Sequence, residues 1–292
     1  MRSPAVALLL ASFGTAGCLP DDTRPTPGSV QVNVEGSDAL LEPIETSDGW
    51  TITVERLLVG LGTVELHGAG CTIYDQAHYS RLFDFAVPLP PPHKLALVYG
   101  LGDCMLEFRM RAPHANAVLG PGVRQADIDA MRIELYTDYS EEPQRASVWI
   151  QGRALREGAE KQFEWEFRRR YNFKECPTGP DGQAGSELPI AGGDALEHTV
   201  VVHGAELFRV GTADDAPLEF EPFALADADG DGDITLEELA ETSAPSVLPA
   251  AEGAADLHGM TLADHLYDNL VPQMVGLAGA GECNVEFDDR RW

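Results

Sequence analysis

Residues 227–238 read Asp-Ala-Asp-Gly-Asp-Gly-Asp-Ile-Thr-Leu-Glu-Glu, with acids at every second position of the first seven. Packed this closely, Asp227, Asp229, Asp231 and Asp233 repel one another unless a cation sits among them. Dense carboxylate and hydroxyl oxygen suits a hard divalent ion, which takes about six to eight oxygen ligands in a flexible geometry. Gly232 allows a sharp turn, because a Cβ there would resist a positive φ. The surrounding charge points the same way. The chain of 292 residues has 48 Asp+Glu against 20 Lys+Arg, a formal net charge of −28, and 19 of those acids lie in residues 210–289, which hold no Lys or Arg. Such a balance excludes nucleic acid as a partner, since phosphate binding needs a basic surface, and it disfavours a basic clamp on anionic lipid.

The pattern D-x-D-x-D-G-x₅-E closes at Glu238, and on these residues the loop resembles the EF-hand calcium-binding family. The resemblance covers the loop and its flanks, about 25 residues. It implies side-chain ligands from Asp227, Asp229 and Asp231, a backbone carbonyl from Asp233, and Thr235 acting directly or through water. Glu238 then closes the sphere with two oxygens, and Ile234 ties the loop to a β-like partner or the core. Calcium is the expected ion. Magnesium fits less well, because it demands tight octahedral geometry and gives up water reluctantly.

The flanks supply short helical elements. Pro222 can open a turn of helix with Phe223 and Ala226 packing before the loop, and Leu236 and Leu239 continue an exit helix that Pro245 should end. A second hand is missing. Asp256–Leu266 echoes the loop's second half without its ladder of ligands, and Thr261 with Asp264 reads instead as a helix cap before Leu266, Leu270 and Met274. That helix, bent near Pro272, is expected to cover the calcium unit. A lone hand argues for structural calcium rather than a sensor that opens a Met-rich groove.

Residues 30–209 carry the alternation of β-strands. Val30, Val32 and Val34 alternate with polar neighbours, as do Ile52 and Val54, and Val64 and Leu66 follow a Gly-Leu-Gly break. Cys104, Leu106, Phe108 and Met110 share one face; Ile133, Leu135 and Thr137 repeat the pattern. The run Phe163–Phe173 places Phe163, Trp165, Phe167, Tyr171 and Phe173 on one side, with Arg169 stacked there or marking a bulge. Arg168 and Arg170 read as a solvated, cross-strand-paired face. Trp149 and Ile150 lie in the preceding strand, joined through a turn at Glu157-Gly158, and His198–His203 forms a last strand. About eight or nine strands without regular helices between them imply a mainly β fold, a β-sandwich or barrel-like sheet pair. The expected division is a signal at 1–17, a lipid-anchored linker at 18–29, the β-domain at 30–209, and an acidic calcium-binding region with a C-terminal helix at 210–292.

The amino terminus reads as an export address. A short positive start precedes the apolar run Ala5–Ser12, too short to span a bilayer, and Ala16-Gly17-Cys18 resembles the lipobox of bacterial lipoproteins. Thr15 departs from that pattern. The resemblance implies Cys18 as a lipid-bearing first residue, with the envelope, outer membrane or periplasm, as destination and the anchor as the membrane contact; cleavage near Ala16 to give a soluble periplasmic or secreted chain is the alternative. Of five cysteines, the other four suit two disulfides in an oxidising compartment. Four cysteines allow three pairings, which the sequence does not decide; Cys71–Cys104 with Cys176–Cys283 is preferred because the first two lie in neighbouring strand-like segments, each bridge worth about 3–5 kcal/mol.

Enzyme motifs such as G-x-S-x-G and H-E-x-x-H are absent, so the expectation is a non-enzymatic protein whose β-domain binds a protein or glycan. The alternatives are a periplasmic copper or zinc carrier built on the scattered histidines, His67, His78, His93, His114, His198, His203, His258 and His265, and a hydrolase with dispersed catalytic groups.

Overall fold

The structure, a computed structural model, describes residues 25–89, 93–137, 140–176, 178, 187–211, 216–248, 257–278 and 283–288. The export signal, Cys18 and most of the linker lie outside the described residues. The first half of the chain runs β1 (Gly28–Gly36), β2 (Ile44–Glu45), β3 (Thr51–Asp75), β4 (Ala77–Asp84), β5 (His93–Met110), β6 (Val118–Leu119), α1 (Gln125–Met131), β7 (Leu135–Thr137) and β8 (Ser140–Gln144). It continues with β9 (Val148–Arg156), β10 (Ala159–Phe167), β11 (Arg170–Lys174), β12 (Leu188–Ile190) and β13 (Ala195–Val202). The last part holds α2 (Glu221–Ala224), β14 (Asp233–Ile234), α3 (Leu236–Glu241), α4 (Ala244–Val247), α5 (Leu262–His265), α6 (Val271–Gln273), β15 (Val275–Leu277) and β16 (Asn284–Asp288). The fold is mainly β.

One curled sheet carries most of the strands, in the order β14-β10-β9-β3-β5-β1-β13-β15, with β11, β12, β16, β2, β4 and β6 branching from it. Two long strands make the curl. The first part of β3 pairs with β9 and its second part with β5, while β5 pairs in turn with β1, β12 and β11. The Gly-Leu-Gly segment is therefore no break: β3 runs through it. A Cβ on Gly60 would lie 2.0 Å from the Arg111 carbonyl oxygen, and one on Gly62 would lie 2.4 Å from that of Tyr79, so glycine is what lets the neighbouring backbone close in. Thr63, with φ 50°, takes up the register shift that follows.

The aromatic run also differs from its sequence reading. It splits at Arg168-Arg169, so that β10 pairs with β9 while β11 pairs with β5 and β16. All five aromatics remain buried. Arg168 and Arg169 are buried as well, against the expectation of a solvated face for Arg168. The Arg168 guanidinium donates to the carbonyls of Ile133 and Gln144 and pairs with Glu166, and that of Arg169 lies 4.9 Å from the Phe287 ring and 5.7 Å from the Tyr267 ring. Backbone carbonyls, aromatic faces and acids thus replace the lost water.

A helix does interrupt the β-region: α1 closes a second small core of Leu58, Leu82, Ile128 and Met131. Ile133 and Leu135 beyond it are exposed, so that segment's alternation does not mark a buried face. Arg56 fastens α1 to β3 through a bidentate pair with Asp127 at 3.0 and 3.1 Å, and also pairs with Asp84.

Segment 210–292 returns to the sheet rather than standing apart from it. β15 pairs with β13, β16 pairs with β11, and a single hydrophobic core includes both Val30 and Leu270. The disulfides are Cys71–Cys104, between β3 and β5, and Cys176–Cys283, which holds the start of β16 to the end of β11. Two such bridges mark an exported, non-cytoplasmic chain. Among the described residues no helix is long and apolar enough to cross a membrane.

Candidate metal centre

The loop is fixed before its first aspartate. Phe220, Phe223 and Ala226 are buried, and the two phenylalanines meet Phe163, Trp165 and Phe208 at centroid distances of 5.6–6.2 Å. This aromatic layer joins the inner face of β10 to the approach to the loop. The backbone amides of Phe220 and Glu221 donate to Asp48 at 2.8 and 2.6 Å. Glu221 in turn accepts from Trp50 Nε1 and pairs with Arg156, whose guanidinium lies 4.5 Å over the Trp50 ring.

Within the loop, one ligand oxygen each from Asp227, Asp229 and Asp231 lies within 4.8 Å of the others. The backbone wraps around them. Asp227 accepts from the amides of Gly230 and Gly232, Asp229 from that of Asp231, and Asp231 from that of Asp233. Gly230 and Gly232 sit at φ 74° and 93°, where a side chain would be strained. Thr235 caps α3 in a box with Glu238, whose other carboxylate oxygen accepts from the Ala228 amide at 3.1 Å. Position 12 is thereby folded back over position 2. Asp227, Asp229 and Asp231 thus bring their oxygens together in one turn, which Glu238 and Thr235 close by hydrogen bonds. The exit helix ends at Glu241, earlier than expected, and Pro245 sits instead in the first turn of α4.

The strand partner of the loop is β10. Gln162 and Phe163 pair in parallel with Asp233 and Ile234, the Gln162 amide donates to the Gly232 carbonyl at 2.8 Å, and Trp165 Nε1 donates to that of Ile234 at 2.9 Å. Ile234 is buried. The edge of the sheet thus takes the backbone of the loop. The ammonium of Lys161, one residue earlier on β10, is paired with Asp227 and holds that carboxyl below the usual carboxylate range. Sequence reading missed this residue. Its one local signal is phase, for Lys161 continues the inward-facing register of Phe163 and Trp165. The helical run from α5 through α6 packs on α3, with Thr261 and Asp264 forming the expected cap. A groove of about 810 Å³ beside β10 is lined by Leu135, Tyr136, Gln162, Glu164, Thr235 and Glu237, among others.

Among the described residues, the three loop aspartates are the one group of three or more His, Cys, Asp or Glu placed to share an ion. The histidines are not drawn together. His78 pairs with Glu65, His93 meets the Phe83 ring edge-on, and His114 lies 2.7 Å from an Arg111 nitrogen. Burial lowers the pKa of His93, His114, His198 and His265, the last to about 4.

No family model matches the chain, and no curated protein does. Among solved structures the chain is similar to MbnP from Methylosinus trichosporium, at 15% identity over 63% of this chain and 78% of that one. The TM-score is 0.30, a likeness that carries no functional argument.

Proposed function

We propose that loop 227–238 is a calcium site of EF-hand type and that its ion has a structural role, fastening the acidic C-terminal segment to the sheet. The observation that carries this reading is the convergence of Asp227, Asp229 and Asp231 in a loop closed by Glu238 and hydrogen-bonded to β10. Asp227, Asp229, Asp231 and Glu238 would hold the ion by side-chain oxygen, Asp233 by its carbonyl and Thr235 directly or through water. Calcium would neutralise part of their repulsion and stiffen the strand pair that anchors the loop. In this reading the protein is a calcium-binding envelope lipoprotein held to the membrane through Cys18. Its β-domain serves binding rather than catalysis, and the groove beside the loop is its candidate face.

An affinity of about 10⁻⁴–10⁻³ M, ordinary for extracellular modules, would keep such a site filled outside the cell. At a hundredfold excess of calcium over Kd the ion stabilises the fold by about 2.7 kcal/mol. Chelation should then lower the melting temperature by about 5–10 °C, and added calcium should restore it. Glu238→Gln should abolish the calcium-dependent part of that shift. Identical melting curves in chelator and in about 100 mM calcium, a hundredfold excess over the weaker of those affinities, would sink the proposal.

A further inference from the structure

Asp227, at position 1 of the loop, already has a cation, and it comes from the sheet. We propose that Lys161 is a built-in counter-cation that holds Asp227 when calcium is not bound and competes with calcium for it. The inference rests on the calcium reading above.

The geometry behind it is specific. Lys161 precedes Gln162, whose amide is bonded to the Gly232 carbonyl, so the strand pairing fixes the lysine backbone beside the loop. Alternation along β10 then sends its side chain to the inward face it shares with Phe163 and Trp165, opposite that of Glu160, Gln162 and Glu164. The ammonium meets Asp227 Oδ2, which also accepts from the Gly232 amide, while Oδ1 accepts from Gly230. The Asp227 side chain is fully covered, and that of Lys161 is 21% exposed. Two amides and an ammonium therefore share the carboxylate, and a cation at the centre of the loop must take one of its oxygens. Lysine suits the role, because its ammonium is a compact charge on a flexible stem that can be placed and displaced. Arg56, held bidentately by Asp127, illustrates the fixed alternative.

Two consequences follow. One acid in the loop stays compensated at low calcium, so the loop keeps its fold on β10 before the ion arrives. Calcium must expel the ammonium, which sets the affinity lower than the donor set alone would give.

Calorimetric titration of chelator-stripped mature protein with calcium chloride tests this on wild type, Lys161→Met, Lys161→Arg and Lys94→Met. Lys94, another of the three lysines in the chain, lies on β5, three strands from β10, and controls for net charge. Lys161→Met should bind calcium about tenfold tighter, the scale for removing one charge about 6 Å from a divalent ion at bulk-water screening. It should also melt below wild type in chelator and at or above wild type in saturating calcium. Lys161→Arg and Lys94→Met should stay within about twofold of wild type in affinity. Unchanged or weaker calcium binding by Lys161→Met, equal tightening in Lys94→Met, or a lower melting temperature at saturating calcium overturns the inference and leaves the calcium site standing. Absence of calcium binding in all four proteins overturns the calcium reading, and this inference with it.

Discussion

Asp127 and Asp227 are both acids covered by a base from the central sheet, yet their surroundings differ in one respect. Around Asp127 the charge is closed. Arg56 bonds both its oxygens and turns its Nε to Asp84, and the Arg124 amide adds a further hydrogen bond at 2.7 Å. Burial pushes the Asp127 carboxyl up, but the Arg56 guanidinium and the Arg124 amide hold it below the usual range. Around Asp227 the charge stays open, because one ammonium faces a loop that also carries Asp229, Asp231, Asp233 and Glu238. A closed ion pair fastens two elements and asks nothing of the solvent. An open one keeps a demand for a further cation, which is the difference the proposed calcium site would use.

The largest effect that sharpens this contrast should come from the closed pair. Arg56→Met leaves buried Asp84 without a cation and Asp127 with only the exposed Arg124 beside it, and should cost about 3–5 kcal/mol in urea unfolding, equally in chelator and in calcium. A loss that calcium repaired would mean that the two regions are coupled and the contrast false.

A somewhat smaller effect should come from the helical cover of the loop. His265 is buried, its Nδ1 lies 3.1 Å from Asn269 Nδ2, and its Nε2 has no hydrogen-bond partner among the described residues. Burial lowers its pKa from 6.5 to about 4. Between those values the unfolded chain binds the proton and the folded chain does not, so acidification favours unfolding. The contribution is fully present above pH 6.5 and is lost as pH falls through 4, about 3 kcal/mol in all. His265→Gln should flatten that part of the pH–stability curve; an unchanged slope between pH 4 and 6.5 would assign the acid sensitivity elsewhere.

Smallest is the cap of α5. Thr261→Ala removes the oxygen that accepts the Asp264 amide and should cost about 1 kcal/mol, again independent of calcium. A calcium-dependent cost would place the cover helix inside the binding unit.

What was legible in the sequence was local. The proposed calcium loop is suggested by residues that lie within twelve consecutive positions, and the alternation of Phe163, Trp165 and Phe167 stood out because one face of β10 is buried and the other is not. The Thr261 cap and the turn at Glu157-Gly158 are equally local, the latter with φ 48° and 90°. Other features depended on distant backbone. Gly60-Leu61-Gly62 reads as a break unless it is known that the Arg111 and Tyr79 carbonyls approach it. Arg168 reads as a surface residue because arginine usually is one, while Arg169 reads as stacked on the aromatic face or marking a bulge; the carbonyls and rings that take the two in come from segments 24 to 118 positions away.

By itself the sequence determined the mainly β class, the cysteines available for bridging and the oxygen donors of the loop, since each is set by residue type and short-range spacing. Only the tertiary structure decided what the loop leans on. The edge of β10, the aromatic layer beneath it and the Lys161 ammonium lie about 50 to 70 positions from the residues they meet. Pairing over such separations follows from the packing of the whole chain, because a strand edge takes whichever backbone the core holds against it.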